Sequence, residues 1–298
     1  MTDPEAQTQW RKNMEKVIIS AALAGAATRK EQNPAVPYTA QEFAEESFKC
    51  WKAGAAIVHI HARDPKTGNP TADIPQIRET IDAIRNRCPE LIINMSSAIG
   101  PWVTAEQRIA PIVEIKPEMA SLNTNSMNFA LADHKSGKIF GEIIFQNTFK
   151  MLVDFGTAMK ENGVKPECEV YDFGGIHNVL LVRKQGIFAE PMHFQLVFGV
   201  AGGVPFTPLN MVHMQSLLPA GATWSTCGVG PNQFPAGIMA SIMGGHIRVG
   251  LEDNTRVLGG KLAEGSWEQV EVARRIAELA EREIASPAEA RRMLNLRR

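Results

Sequence analysis

TAQEFAEESFKCWKAGAAIVHIHARDPKTGNP, residues 39–70, reads in order as a helix, a tight stop, a buried strand and a polar loop. Thr39 has the hydroxyl of an N-cap, Phe43, Phe48 and Trp51 fall near one helical face, and Gly54 supplies the stop. Ala56–His61 is short and apolar enough to be buried on both faces, as strands of a parallel sheet are. The same alternation runs outward in both directions. Further strand candidates are Val17–Leu23, Leu91–Met95, Met119–Asn123, Glu167–Tyr171, Met192–Phe198, Ala222–Cys227 and His246–Val249. Between them, Asp73 opens DIPQIRETIDAIRNRC, with Ile74, Ile77, Ile81 and Ile84 at helical spacing. Thr104 with Gln107, and Ser286-Pro287 with Glu289, have the form of capping boxes. Ser266–Arg282 is the most regular amphipathic stretch, and its charged face is expected to be solvated.

Eight strands alternating with helices, with no break in composition, predict an α/β chain folded as a (β/α)₈ TIM barrel. The expected organisation is one domain over residues 1–298, with 1–16 an N-terminal extension and 286–298 a C-terminal helix. A dinucleotide-binding sheet is the competing fold, but the chain has neither a GxGxxG between strand and helix nor a GxxxxGK[ST] loop. Composition agrees with a globular chain: 44% hydrophobic and 21% charged residues, enough to build a large core. Lys and Arg total 31 against 32 Asp and Glu, which leaves no positive surplus to attract nucleic acid or an acidic membrane. Cys50, Cys88, Cys168 and Cys227 show no CxxC or CxxH spacing, so neither a disulfide framework nor a structural zinc site is expected. With a polar N-terminus and no apolar run long enough to span a bilayer, a cytoplasmic protein is expected.

In a barrel of this kind chemistry sits at the C-terminal ends of the strands. His59 and His61, two apart on a strand that ends there, project from one face and can share a metal. A catalytic zinc commonly takes three protein ligands, two imidazoles and a carboxylate among the frequent sets. Glu252 in GGHIRVGLEDN, directly after the last strand, is the best third ligand. Its neighbour Asp253 is then free for proton transfer, with Arg248 placed to keep it ionised and oriented. A solvated loop with a surface ion pair would look the same in that segment alone. Glu169 alternates with Glu167 and Tyr171 on one face of a strand, an unusual place for carboxylates unless one lines a site, and Glu169 is the stronger candidate. Ser96, Ser97, Asn123 and Thr124 close the third and fourth strands, where they suit hydrogen bonds to a substrate or, equally, the turns such residues favour. The low-bulk loop FGVAGGVPFTP would let a phosphate approach its amides. His193, His213 and His246 lack partners at metal spacing, and Cys227, without a visible base, reads as a small buried hydrophobe.

Taken together, EQNPAVPYT, GAAIVHIHARDPKTGNPT, PECEVYDFG, FGVAGGVPFTP and GGHIRVGLEDN resemble, in order, segments of the β-keto acid cleavage enzymes, a family of metal-dependent (β/α)₈ proteins. The resemblance implies zinc or a similar divalent ion on His59, His61 and Glu252, with Glu169 and the Asp253–Arg248 pair beside it. It implies that Ser96 or Ser97 and Asn123-Thr124 bind the keto acid. The implied reaction joins a β-keto acid and acetyl-CoA to give acetoacetate and a new acyl-CoA, by Claisen and reverse Claisen steps. A homotetramer is implied as well. Members that act on an amino-substituted keto acid carry TGAE after the first strand, where this chain reads AGAA at 24–27; Ala27 cannot neutralise an ammonium, so a neutral, apolar or anionic substrate side chain is expected. Other readings are a metal-dependent hydrolase on the same fold, a CoA-independent lyase or aldolase, and a non-enzymatic metal-binding scaffold. The arginines of ARRMLNLRR are expected to be a solvated helix end.

Overall fold

A computed structural model describes residues 15–133 and 136–296. Eight parallel strands close into a barrel: β1 (Ile19–Ala22), β2 (Ile57–Ile60), β3 (Ile92–Met95), β4 (Met119–Asn123), β7 (Lys165–Val170), β8 (His193–Phe198), β9 (Thr223–Gly228) and β10 (His246–Val249). Each lies within or across one of the eight stretches expected from the sequence. Closure comes from β1, which pairs with β10 through Ile19 and Ile247 on one side and with β2 through Ser20 and Ile57 on the other. Around the barrel run α1 (Ala40–Ala53), α2 (Ile74–Arg87), α3 (Ala105–Ile115), α4 (Phe149–Glu161), α5 (Phe173–Arg183), α6 (Pro208–Ser216), α7 (Gln233–Ile242) and α8 (Ser266–Leu279). A last helix, α9 (Pro287–Leu294), lies against the N-terminal ends of the strands.

Local chemistry accounts for the helix starts. Thr39, Thr104 and Ser286 each accept from the third helical N–H while Glu42, Gln107 and Glu289 bond back, and Asp73 caps α2 through Gln76. α8 begins differently. Its N-cap is Gly265, with no side chain to offer, and the carboxylate of Glu46 on α1 instead accepts from the backbone N–H groups of Ser266 and Trp267, at 2.5 and 3.3 Å. That contact corrects the expected inner face of α1. Phe43 is buried there together with Glu46, Ser47 and Cys50, whereas Phe48 and Trp51 sit half-buried at its margin, under Arg87 and Lys52.

Two strands were not foreseen. β5 (Met127–Asp133) and β6 (Lys138–Phe145) form an antiparallel hairpin inserted between β4 and α4, outside the barrel. β6 is exposed along nearly its whole length, with Phe140 66% and Ile144 73% accessible, whereas β5 is mostly half-buried. At its root the hairpin is fastened to the β8–α6 loop, where Ala130 N donates to Ala201 O. Gly202 of that loop serves this packing: a side chain there would place its Cβ 1.8 Å from the Asn128 carbonyl oxygen. The close approach that the sequence suggested for a phosphate is made here by the protein's own backbone.

The N-terminal mouth of the barrel is plugged. Ile18, Ala56, Ile57, Ile92 and Met119 pack with Ala290 and Leu294 of α9. Arg291, expected to be solvated, grips Glu118 with both Nε and Nη2, at 2.6 and 2.7 Å, and donates to Glu90 O. Arg282 is likewise buried, not part of a solvated face, and its guanidinium donates to the carbonyls of Ser241, Gly245 and Glu15. Both corrections have one reason: carbonyls and carboxylates at a sealed barrel floor need donors, and arginine reaches several at once. Residues 1–14 of the expected N-terminal extension, and Arg297 and Arg298 of the expected C-terminal helix, lie outside the described residues. With the floor closed, the C-terminal rim is the open end. Among the described residues no helix is long and apolar enough to cross a membrane.

Candidate functional site

At that rim the structure brings His59, His61, Glu169, Arg248, Glu252 and Asp253 together. The strand geometry of β2 points both imidazoles the same way, with ring centroids 5.3 Å apart. Their Nε2 atoms lie 3.7 and 3.4 Å from Glu252 Oε1. Glu252 reaches them because β10 and β1 are neighbours: its N–H bonds Ala22 O across the seam, and Thr28 Oγ1 donates to its carbonyl. Gly250 starts this turn, at a place where a Cβ would sit 2.0 Å from Ala22 O.

Arg248, only 4% exposed, organises the carboxylates. It holds Asp253 with two hydrogen bonds, Nε to Oδ2 at 2.8 Å and Nη2 to Oδ1 at 2.9 Å. Nη2 also reaches Glu252 Oε1 at 2.6 Å, and Nη1 reaches Glu169 Oε1 at 3.3 Å and Gln195 Oε1 at 3.0 Å. Burial raises the cost of charge for every acid here, and the neighbours decide the outcome. For Glu252, the pull of Arg248, His61 and His59 outweighs burial and holds the carboxyl well below its usual range. Asp253 stays above its usual value, because burial and the Glu252 charge are only partly offset by Arg248. Glu169 is pushed up to about 8 by burial, with Arg248 pulling the other way and the nearby carboxylates adding to the rise. Burial brings His59 down to about 3, so its imidazole is neutral at physiological pH and keeps a lone pair for a ligand.

The donor set fits a divalent metal. Ligand atoms of His59, His61 and Glu252 lie within 4.8 Å of one another, and Glu252 Oε2 is buried with no hydrogen-bond partner. Two imidazoles and one carboxylate form a common set for a catalytic zinc, which leaves a position open for substrate.

The small polar residues divide into two kinds. Ser97 Oγ and Asn123 Nδ2 are buried without partners. Ser96, by contrast, bonds within its own turn to Ala98, and Thr124 Oγ1 donates to Glu169 O at 2.9 Å. The histidines outside the pair stand elsewhere. His246 Nδ1 accepts from Ile18 N, His193 bonds Thr223, and His213 meets the ring of Phe173. The Cys227 thiol is pushed well above its usual value by burial and abuts Asp253, which keeps it protonated.

Several members of this neighbourhood escaped the sequence reading. Tyr171 OH donates to Asn123 Oδ1 at 3.2 Å and lies 3.4 Å from Glu169 Oε2, while its ring meets Phe145 at the hairpin root edge-on. Gln195 takes the remaining donor of Arg248. Arg63 is almost fully buried and donates to the carbonyls of Ala24, Gly25, Thr28 and Gly68, tying the loop after β1 to the loop after β2. The PxCxVY alternation was the one available signal for Tyr171. Gln195 meets Arg248 53 residues away, and Arg63, apart from Gly68 in its own loop, reaches carbonyls 35 to 39 residues before it, so nothing local marks either as part of the site.

A sealed parallel barrel with its buried polar groups converging at the C-terminal rim has the architecture of a barrel enzyme. Residues 16–296 match the β-keto acid cleavage enzyme family, and the chain belongs to that family. A 3-keto-5-aminohexanoate cleavage enzyme of Fusobacterium nucleatum is 43% identical over 285 residues, covering 96% of this chain and all of the relative. A 3,5-dioxohexanoate:acetyl-CoA acetone transferase of Paraburkholderia graminis is 35% identical over 299 residues, 95% of this chain and 96% of the relative. The fold is also that of ObcA solved with oxaloacetate, at a TM-score of 0.72 and 22% identity, over 88% of this chain and 68% of that longer one.

Proposed function

We propose that the protein is a metal-dependent acyltransferase that converts a β-keto acid and acetyl-CoA into acetoacetate and a new acyl-CoA. The observation that carries this is the convergence, at one barrel rim, of a His59–His61–Glu252 ligand set and an Asp253 clamped by Arg248. Family membership and the acetyl-CoA in the name of the Paraburkholderia relative support it.

His59, His61 and Glu252 would hold zinc or another divalent ion, which when bound supplies a Lewis acid that polarises the keto acid's carbonyl. Asp253, fixed by Arg248 and raised by burial, removes the proton from the carbon between the ketone and the carboxylate. The resulting carbanion attacks the thioester carbonyl of acetyl-CoA and forms a carbon–carbon bond. The CoA thiolate leaves and then attacks the former keto carbon. Cleavage of the neighbouring carbon–carbon bond releases the acyl-CoA and, after the carbanion takes back a proton, acetoacetate. Glu169, whose carboxyl keeps its proton near neutrality, supplies a hydrogen bond to an oxygen on which negative charge develops. Ser97 and Asn123 offer unpartnered donors to the keto acid carboxylate, with Ser96 and Thr124 shaping the loops that present them.

Ala27 lies exposed in the turn after β1, one residue before the Thr28 contact to Glu252. A substrate side chain that is neutral, apolar or anionic suits this turn, whereas an ammonium would find no carboxylate at Ala27. We place the enzyme in the cytoplasm as a single-domain barrel that assembles into a homotetramer, with small-molecule partners only.

The test is acetoacetate formation from acetyl-CoA and a panel of β-keto acids, with and without a chelator. Product that requires acetyl-CoA and disappears on chelation is the expected result. Cleavage without acetyl-CoA would point to a lyase, and water in place of CoA as the acceptor to a hydrolase.

A further inference from the structure

Below the imidazole pair, the barrel interior holds a carboxylate that the reaction above does not use. Glu167 on β7 is fully buried. Its Oε1 accepts from Asn94 Nδ2 at 2.6 Å, and Asn94 is the register partner of His59 on the neighbouring strand β3. Its Oε2 makes no hydrogen bond of good geometry; His193 Nε2, 3.5 Å away, is its nearest competing donor, while Nδ1 of that ring is taken up by Thr223. His59 has the complementary defect. Its Nε2 faces Glu252, and its Nδ1 is buried with no partner. Ligand atoms of His59, Glu167 and Glu169 lie within 4.8 Å of one another.

A neutral imidazole has one N–H and one lone pair. When the Nε2 lone pair is turned towards a cation at Glu252, the N–H is on Nδ1 and needs an acceptor. Buried polar atoms are nearly always paired, so an orphaned donor and an orphaned acceptor on neighbouring side chains call for one explanation. A second metal ion on His59, Glu167 and Glu169 is a poor one. Glu169 already accepts from the permanently charged Arg248 and from Tyr171, and Glu167 has given one oxygen to Asn94, so a second cation would stand beside a guanidinium in a closed space.

We propose that Glu167 is a positioning residue for His59: its free oxygen accepts from Nδ1–H once the metal site is filled, with Asn94 holding the carboxylate in place. Such a partner fixes the tautomer and ring angle of a metal-ligating histidine and raises its basicity. The proposal rests on the metal reading of the preceding section.

The test uses the full chain, stripped of metal and titrated with Zn²⁺ against a competing chromophoric chelator, for wild type and E167Q. Expected are one ion per chain in both and an affinity about 10–100-fold weaker in E167Q. The melting temperature of the metal-free proteins reports separately on folding. Equal affinities within about twofold, or two ions per wild-type chain, overturn the proposal. If E167Q does not fold, long-range ¹H–¹⁵N imidazole spectra of the zinc-loaded wild type decide instead: a slowly exchanging Nδ1–H proton that appears with zinc is expected, and its absence is fatal. Failure of the wild type to hold any divalent ion overturns the metal reading itself, whereas tight binding by both proteins overturns only the role of Glu167.

Discussion

Arg248 meets three carboxylates and one amide, so the behaviour of the site depends on how its five N–H donors are shared. D253N keeps the size of the side chain and one of the two acceptors for Arg248 while removing the proposed base. Its kcat is expected to fall about 100- to 10,000-fold, with metal affinity kept within a few-fold, as steady-state kinetics and metal titration would show. A specificity change is predicted at Ala27. A27E should raise the relative kcat/KM for amino-substituted over simple aliphatic keto acids, and an unchanged ratio would remove this turn from substrate selection. At this scale the sequence was readable where chemistry is concentrated in a few adjacent residues. HIH and LED announce themselves by spacing and by their position after strands. Tyr171, Gln195 and Arg63 are ordinary residue types whose importance comes from partners distant in sequence, and only the closed barrel brings them to the site.

Helices and strands follow the same division. The barrel strands are apolar runs buried on two sides, and helix starts are written in local capping chemistry, so both could be read from short windows. Hairpin β5–β6 could not. Neither of its faces rests on the core, so burial imposed no clear two-residue period on the segment, and its bulge between Leu131 and Ala132 breaks what alternation there is. The cap on α8 was equally hidden, since Glu46 lies 220 residues before the N–H it receives. Glu46 is buried, and E46A should cost about 1–3 kcal/mol, because it strands donors at the start of α8. A drop of several degrees in melting temperature is expected, whereas an unchanged value would mean that water replaces the carboxylate without loss. The capping box of α9 makes a pH prediction. Backbone and hydroxyl bonds from Ser286, with Lys16 nearby, bring Glu289 from an ordinary 4.5 to about 2. A carboxyl lowered on folding stabilises the native state above its unfolded value and loses that effect as pH falls towards the folded one. The melting-temperature difference between wild type and E289Q should therefore be full at pH 6 and shrink steadily from about pH 4.5 downward.

At the scale of the whole molecule, the barrel is sealed at one end and polar at the other. The seal is made by α9 and the Arg291–Glu118 pair, and R291M should speed amide exchange in residues 287–294 by about tenfold or more while leaving the rim unaffected. Exchange unchanged at α9 would show that apolar packing alone holds the floor. The rim has a different dependence. Arg248 is a built-in counter-ion, in contact with both Glu252 and Asp253. Small metal domains whose ligands repel one another collapse when the ion is withdrawn, because binding and folding are one event. Here the acids have a resident cation to return to. Withdrawal of metal should therefore leave the far-UV circular dichroism unchanged and the chain monodisperse, and activity should return on adding ion without a refolding step. For the proposed metal site, loading would then be a step on a finished scaffold, so the ion in place at any moment would follow supply and be exchanged without the protein being rebuilt.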